Sequence, residues 1–133
     1  MQTQSKNIRE DLVFKDECFK IVGVAMAVQN TIGCGFEEKV YQRAMAIALT
    51  KSGFKITEQL YAPIYFEDKV VGKNYFDFLI NDSIVVELKR GDHFSLAHIE
   101  QLNKYIKIKK LKLGILIYFA PHGIHYKRIV NLY

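Results

Sequence analysis

Three charged residues, Asp77, Glu87 and Lys89, have the types and the spacing needed to hold a metal ion beside a phosphate group. They flank a predicted β-hairpin. If residues 81–83 form the loop of that hairpin, Asp77 falls directly opposite Glu87 in the neighbouring strand. Side chains alternate between the two faces of a strand, so Lys89 shares the face of Glu87. The sequence therefore predicts two carboxylates and one ammonium group on one face of a sheet.

Two carboxylates that face each other repel unless a cation lies near them, and Mg²⁺ is well matched to carboxylate oxygens. Lys89 beside such an ion could neutralise charge that develops at a phosphate during hydrolysis, or orient the attacking water. The alternative is an ordinary ion pair between Lys89 and one carboxylate on a solvated sheet face. Spacing alone favours neither interpretation.

A predicted helix that begins near Leu96 places His98, Gln101 and Tyr105 on one strip beside its apolar stripe. Gln101 and Tyr105 are one turn apart, so an amide and a phenol could together bind a nucleic-acid backbone or support the metal site. The same spacing also fits an ordinary shoulder of a helix.

An earlier predicted helix carries Glu38 on the same stripe as Tyr41, Met45 and Leu49. A carboxylate on a mostly apolar stripe suggests a functional acid. A carboxylate in the first turn of a helix also stabilises the helix dipole, so both roles stay open for Glu38.

The residue pattern predicts the element order α-α-β-β-β-α-β-β. The predicted helices cover 11–31, 36–51 and 96–110, and the predicted strands cover 54–66, 69–80, 84–89, 113–119 and 124–132. The first helix is marked by Leu12, Phe19, Val22, Met26 and Ala27, and the last by Leu96, Ile99, Leu102 and Ile106. Gly72 suggests an irregularity in the second strand. The third and fourth strands, which are joined through a helix, should run parallel.

The length of 133 residues favours a single domain over 1–133, with 1–10 as a flexible N-terminal segment. The composition is half apolar and one quarter charged, which excludes disordered and collagen-like classes. A membrane span and a signal peptide are not indicated, so a cytoplasmic protein is expected. Cys18 and Cys34 are expected to be reduced, packed thiols.

The net charge of +5 and the pI of about 9.1 fit a polyanionic partner without requiring one. Four lysines gather near the end of the last helix, namely Lys104, Lys107, Lys109 and Lys110. They could contact phosphates, or they could form a solvated face that stabilises the helix C-terminus. The four histidines lack a zinc spacing, and no phosphate-binding loop, dinucleotide fingerprint or nucleophile elbow is present.

The motifs resemble those of the PD-(D/E)XK nuclease superfamily and, within it, the small proteins called GxxExxY proteins. Residues 35–41 read G-x-x-E-x-x-Y, and Asp77 with residues 87–89 reads D-x9-E-x-K. Residues 101–105 fit the Q-x-x-x-Y element of the recombination-exonuclease branch. The resemblance extends from about residue 21 to residue 130, and it is specific through the order and spacing of its motifs.

The resemblance implies a restriction-endonuclease-like α/β fold, a three-layer core with a mixed β-sheet flanked by helices. It also implies a nuclease that hydrolyses DNA phosphodiester bonds with Mg²⁺, for which Mn²⁺ could substitute. Asp77, Glu87 and the carbonyl of Leu88 would then bind the metal.

The resemblance also assigns roles to the remaining candidates. Lys89 would serve the hydrolytic step, and Glu38 would be the helix-borne acid that completes the site. Gln101 and Tyr105 would position DNA or support the metal shell. The chain departs from the family pattern at Phe76, where the superfamily name has proline, and at Gln29, where relatives often carry histidine.

Three functions follow as expectations. The favoured one is a metal-dependent deoxyribonuclease. The second is a non-catalytic nucleic-acid-binding or protein-assembly module that retains the nuclease fold. The third is a protein-interaction subunit, with a homodimer formed through Tyr61, Tyr65 and Tyr75.

Overall fold

The computed structural model describes residues 10–132, and over that range the chain forms a five-stranded sheet with three α-helices. The α-helices are α1 (Lys15–Ile32), α2 (Glu38–Lys51) and α3 (Leu96–Ile108). The strands are β1 (Ile56–Phe66), β2 (Lys69–Ile80), β3 (Ile84–Arg90), β4 (Leu113–Ala120) and β5 (Gly123–Val130). This is the predicted order of elements. Of the segment expected to be flexible, 1–10, residues 1–9 lie outside the described part, and Glu10 begins a short 3-10 helix, Glu10–Leu12.

The sheet has the strand order β1-β2-β3-β4-β5, and its strands are antiparallel except for the pair β3–β4. The predicted crossover is therefore confirmed, because β3, α3 and β4 follow one another and the two strands are parallel. The hairpin β2–β3 pairs Ile80 with Ile84, which is the predicted register. The predicted irregularity is also present, since the register shifts at Ile64 and Tyr65, opposite Gly72 and Val70.

Apolar side chains cover both faces of the sheet. The face toward α1 and α2 includes Phe78, Ile80, Ile84, Val86 and Leu88, together with Tyr41, Met45 and Leu49 of α2. The face toward α3 includes Phe76, Val85, Leu116 and Tyr118, together with Leu102 and Ile106 of α3. All eight residues of β4 are buried, so this strand is covered on both faces.

The face of α1 that packs against the sheet differs from the predicted one. Its buried residues are Cys18, Ile21, Val22, Ala25 and Val28. Of the residues that marked the helix in the sequence, only Val22 is buried, whereas Leu12, Phe19, Met26 and Ala27 are exposed. Apolar residues lie on more than one side of this helix, so their spacing alone does not identify the packed side.

The helix boundaries also shift by a few residues. α1 begins at Lys15 because Phe14, at φ 49°, has a left-handed conformation that separates the helix from the 3-10 turn. α2 begins at Glu38 and not at residue 36. α3 is capped by Ser95, whose hydroxyl accepts the backbone N–H of His98 at 3.4 Å. Leu96 is 69% exposed, so its predicted place in the core is wrong; it lies in the first turn, ahead of the buried residues of the helix.

Both cysteines are free thiols, as expected, but only Cys18 is packed; Cys34 is exposed in the loop between α1 and α2. Arg128 has a structural role, because its Nη2 donates to the carbonyls of Glu10 and Val13 at 2.7 and 2.6 Å and so ties the start of the described chain to β5. Among the helices of residues 10–132, none is long and apolar enough to cross a membrane.

Candidate active site

Asp77 and Glu87 lie where the paired part of β2 and β3 ends. The regular backbone pairing stops at Phe78 and Val86, and beyond it the strands are joined by hydrogen bonds between side chains and backbone. The backbone N–H of Asp77 donates to Glu87 Oε1 at 3.1 Å, and the backbone N–H of Leu88 donates to Asp77 Oδ2 at 2.7 Å. Each carboxylate is thereby oriented by the main chain of the opposite strand.

The surroundings of the two carboxylates oppose their ionisation. Burial, reinforced by the neighbouring Asp77 carboxylate, raises the pKa of Glu87 to about 8. Burial also raises the pKa of Asp77. The Lys89 ammonium acts in the opposite direction on both groups, and its Nζ lies 3.4 Å from Glu87 Oε2. A divalent cation at this point would favour the ionised form of both acids.

Lys89 is also close to a partly buried hydroxyl–imidazole pair. In the parallel register Lys89 is the partner of Tyr118 in β4. The Tyr118 hydroxyl forms a hydrogen bond of 3.0 Å with His98 Nδ1 and accepts the backbone N–H of Ser95 at 3.4 Å. Burial, followed by the Lys89 ammonium, lowers the pKa of His98. The start of α3 is therefore fastened to the end of β4 beside Lys89.

The sequence pattern places His98 on the strip of Gln101 and Tyr105 but does not identify Tyr118 as its partner. The structure places His98 in a half-buried position with a specific partner. A signal for Tyr118 was present, because its hydroxyl is the one polar side-chain group in a strand of otherwise apolar residues, 113–120. A buried hydroxyl requires a hydrogen-bond partner.

Glu38 reaches the same region from the other side of the sheet. It is the first residue of α2, and its Oε2 accepts the backbone N–H of Arg90 at the end of β3 at 3.2 Å. Its negative charge also raises the pKa of Asp77 as a lesser contribution, after burial, and so lies within electrostatic range of the carboxylate pair.

The G-x-x-E-x-x-Y segment owes its conformation to Tyr41. The Tyr41 hydroxyl donates to the carbonyl of Gly33 at 2.8 Å and accepts the backbone N–H of Phe36 at 3.4 Å. Its ring stacks on Phe119 with centroids 4.1 Å apart. Gly35 has φ 91°, a conformation that glycine adopts without strain. The loop is thus fixed to the sheet, and the start of α2 is fixed with it.

Gln29, one of the two positions at which the chain departs from the resembled pattern, has a structural contact. Its Nε2 donates to the carbonyl of Ala120 at 2.8 Å. This bond joins the last turn of α1 to the end of β4, so the Gln29 amide has a structural role.

Gln101 and Tyr105 lie beside the carboxylates but not among them. Both line a cavity of about 510 Å³ between α3 and the strands β1 and β2. The Tyr105 ring centroid is 5.1 Å from that of Phe76, the residue before Asp77. Among the described residues, no hydrogen bond or ion pair joins Gln101 or Tyr105 to Asp77, Glu87 or Lys89.

The four lysines of the predicted phosphate-binding group are exposed at the C-terminal end of α3. Lys104 lines the cavity, Lys107 lies in the last turn, and Lys109 is the C-terminal cap. Lys110 follows with φ 58°. The group therefore begins beside the cavity and extends away from the carboxylates.

The donor set fits Mg²⁺ better than a metal that needs a closed cage. Within residues 10–132, no group of three or more His, Cys, Asp or Glu side chains is placed to hold an ion by itself. The site offers two carboxylates and the nearby main chain of Leu88. Mg²⁺ keeps several waters and commonly shares its remaining positions with substrate phosphate, whereas structural zinc takes four protein ligands.

Comparison with known proteins supports the fold. No curated protein sequence matches the chain. A crystal structure of SSO0001 is 20% identical, with a TM-score of 0.56, and the match covers 89% of this chain and 60% of that one. An alkaline exonuclease from Laribacter hongkongensis is 12% identical, with a TM-score of 0.50, covering 90% of this chain and 71% of that one. The predicted restriction-endonuclease-like class, with its mixed sheet flanked by helices, is confirmed by these neighbours and by the observed topology.

The family assignment rests on a match of sequence pattern. The profile of the PD-(D/E)XK nuclease superfamily matches residues 15–129, which include Glu38, Asp77, Glu87 and Lys89. The predicted superfamily is thus confirmed over most of the chain, which spans 60% of the length of the SSO0001 structure. The chain belongs to the PD-(D/E)XK nuclease superfamily.

Proposed function

We propose that this chain is a Mg²⁺-dependent nuclease that hydrolyses the phosphodiester bonds of DNA, with Mn²⁺ as a possible substitute ion. The observation that carries the proposal is the pair Asp77 and Glu87, each held by a backbone N–H of the strand that carries the other, with Lys89 Nζ 3.4 Å from Glu87 Oε2. When both are ionised, paired and partly buried carboxylates with raised pKa values are costly unless a cation is bound.

In this proposal Asp77, Glu87 and the carbonyl of Leu88 hold the metal. When bound, the ion supplies positive charge and Lewis acidity at the scissile phosphate. The two backbone hydrogen bonds orient the carboxylates before any ion arrives, so little conformational entropy is lost on binding.

Lys89 is the catalytic cation. Its side chain is 23% exposed, so the ammonium can reach a phosphate while it stays close to Glu87. Positive charge there stabilises the negative charge that develops on the phosphate oxygens. Glu38 completes the site as the helix-borne acid, and through its bond to the Arg90 N–H it fixes the end of the strand that carries Lys89.

The neighbouring surface supports a polyanionic substrate. Lys104, Lys107, Lys109 and Lys110 would contact backbone phosphates, which gives affinity without sequence preference. Gln101 and Tyr105 would position the substrate next to the carboxylates. DNA is proposed as that substrate because the motifs of the chain resemble those of deoxyribonucleases.

The experiment that tests the proposal is cleavage of labelled DNA, single-stranded and duplex, in Mg²⁺, in Mn²⁺ and in EDTA. We expect cleavage with either ion, none in EDTA and none with Glu87→Gln. Glu58→Gln is the matched control, because Glu58 is an exposed acid of β1. The proposal fails if wild-type protein leaves all substrates intact, or if Glu87→Gln cleaves as well as wild type.

A second candidate is the non-catalytic nucleic-acid-binding or assembly module. It is supported by the exposed lysines at positions 104, 107, 109 and 110, which can contact phosphates without a metal. This function predicts DNA binding that is tight and salt-sensitive but the same in Mg²⁺ and EDTA, with no product.

Exposed aromatic residues support a homodimer for either function. Tyr61, Tyr65 and Tyr75 are 48%, 62% and 45% exposed, and the rings of Tyr61 and Tyr75 are 5.6 Å apart. They lie on the hairpin β1–β2, at one edge of the sheet. Mass measurement after size exclusion, with and without DNA, separates a dimer that forms alone from one that requires nucleic acid.

A further inference from the structure

The cavity beside the carboxylates has the size and lining of a ligand site. Its volume of about 510 Å³ falls within the range of ligand pockets, about 300–1,000 Å³. Phe76 and Ala62, which are nearly fully buried, are among its apolar lining residues. Aromatic rings come from two sides, Tyr65 on β1 and Tyr105 on α3. Such a cavity suits a flat, largely apolar group.

Polar groups among the lining residues are few and are varied in type. Asn74 and Gln101 provide side-chain amides, which can both donate and accept hydrogen bonds. Lys104 provides a positive charge, and Glu100 a negative one. Amides match the edges of nucleobases, and an ammonium group matches a phosphate.

Two elements contribute residues both to the cavity and to the candidate active site. On β2, the lining residue Phe76 directly precedes Asp77. On α3, the lining residue Gln101 lies one turn after His98, which is held beside Lys89 through Tyr118. A group in the cavity would therefore lie close to a phosphate bound at the carboxylates.

We propose that this cavity takes an unpaired nucleobase next to the scissile phosphate, and that the enzyme acts on single-stranded nucleic acid. The inference rests on the proposed nuclease function and specifies its substrate class. A base inside a duplex is stacked and paired, so it cannot enter a cavity between a helix and a sheet without being extruded. Bases of a single strand are free to stack on aromatic side chains, irrespective of sequence.

Binding in EDTA tests the proposal without cleavage. The probes are a labelled twelve-residue thymidine strand, an abasic strand of the same length and phosphate charge, and a blunt duplex hairpin. We expect the thymidine strand to bind wild-type protein at least about tenfold more tightly than either other probe, as stacking of one or more bases implies. Because the abasic strand keeps every phosphate, the difference measures the bases alone.

Two variants test whether the preference for the base-bearing strand depends on the cavity. Tyr105→Leu keeps apolar packing against Phe76 but removes an aromatic surface, and Ala62→Leu fills part of the cavity. Each should reduce the preference for the base-bearing strand by about tenfold or more. Tyr126→Leu is the matched control; Tyr126 is a 46% exposed tyrosine of β5 outside the cavity, and the preference should persist. Circular dichroism checks the fold of each variant, and either folded cavity variant is sufficient for the test.

Equal binding of the thymidine and abasic strands would overturn the inference, as would equal binding of the thymidine strand and the duplex. A preference that survives in a folded cavity variant would also overturn it. These results are independent of cleavage. DNA cleavage without a base preference refutes the cavity assignment alone, whereas a base preference without metal-dependent cleavage refutes the nuclease function and leaves the recognition site.

Discussion

Asp77 and Glu87 are each held by a backbone N–H of the strand that carries the other residue. Glu87 Oε1 accepts the N–H of Asp77 at 3.1 Å, and Asp77 Oδ2 accepts the N–H of Leu88 at 2.7 Å. These bonds begin where the regular β2–β3 pairing stops. Beyond Phe78 and Val86, the two strands are therefore joined through the carboxylates themselves. These bonds orient both acids in the absence of a metal.

Lys89→Ala should abolish most DNA cleavage and leave the fold intact. Removal of a group that stabilises transition-state charge commonly costs about 10²–10³ in rate. Lys89 lies at the end of β3 and is 23% exposed, so its loss should not unfold the protein. Initial rates in Mg²⁺ and circular dichroism measure the two effects.

Lys20→Ala is the matched control for Lys89→Ala, because Lys20 is an exposed lysine of α1. Its rate should equal that of wild type. A folded Lys89→Ala protein with wild-type cleavage would remove Lys89 from the mechanism.

The stability of the metal-free protein should fall as the pH rises from about 4.5 to about 8 because of Glu87. Burial and then Asp77 raise the pKa of Glu87 to about 8, so the folded state retains a proton that the unfolded state has released. Across this window the unfolded state binds fewer protons, and the free energy of unfolding therefore decreases with pH. Above a pH of about 8 Glu87 is ionised in both the folded and the unfolded state, so it causes no further change in the free energy of unfolding.

Thermal unfolding in EDTA at several pH values measures this dependence. Glu87→Gln keeps an oxygen that can accept the Asp77 N–H but does not ionise, so the variant should lose the decrease between these pH values. The difference between wild type and variant isolates Glu87 from other titrating groups such as His98. Parallel curves for the two proteins would contradict the assignment.

Tyr118→Phe should lower the free energy of unfolding by about 0.5–1.5 kcal/mol, the usual net worth of a hydrogen bond. Tyr118 is 2% exposed, and its hydroxyl binds both His98 Nδ1 and the backbone N–H of Ser95. Urea unfolding measures the loss. Tyr126→Phe removes a hydroxyl from an exposed ring of the same sheet, and its stability should match that of wild type.

Gly114→Ala should destabilise the fold by about 1–3 kcal/mol, the range for overpacking a core. A Cβ at Gly114 would lie 2.8 Å from Leu102 Cγ, where α3 packs against β4. Gly23→Ala is the opposing control, since nothing lies within 4 Å of a Cβ there and the residue is inside α1. That change should stabilise the protein by about 0.5–1 kcal/mol. Equal stability of the two variants would contradict the packing described here.

Local spacing was sufficient to predict the hairpin that carries the carboxylates. A three-residue loop and a period of two fix which residues of β2 and β3 face each other, and the observed pair Ile80 and Ile84 follows from that rule. The parallel pairing of β3 with β4 followed in the same way from a strand, a helix and a strand in succession.

Other features depend on contacts between distant parts of the chain, and the sequence did not reveal them. α1 has apolar residues on several sides, so only its packing shows that Ile21 and Ala25 are inside and Phe19 outside. The bond between His98 and Tyr118 requires the β3–β4 register and the docking of α3 together. Gln101 and Tyr105 were placed on the correct helix, but the cavity they line is formed by β1 and β2 as well.

Mg²⁺ and Mn²⁺ binding, measured by calorimetry for wild type and for Asp77→Asn, tests whether the carboxylate pair holds the metal. The amide keeps an oxygen for the Leu88 N–H and removes the charge, so the variant should fold and lose measurable binding. Asp82→Asn, at an exposed acid of the β2–β3 loop that pairs with Lys55, should bind as wild type does. If the folded Asp77→Asn protein binds the ion as tightly as wild type, or if wild type binds neither ion, the carboxylate pair is not the metal site of the free protein.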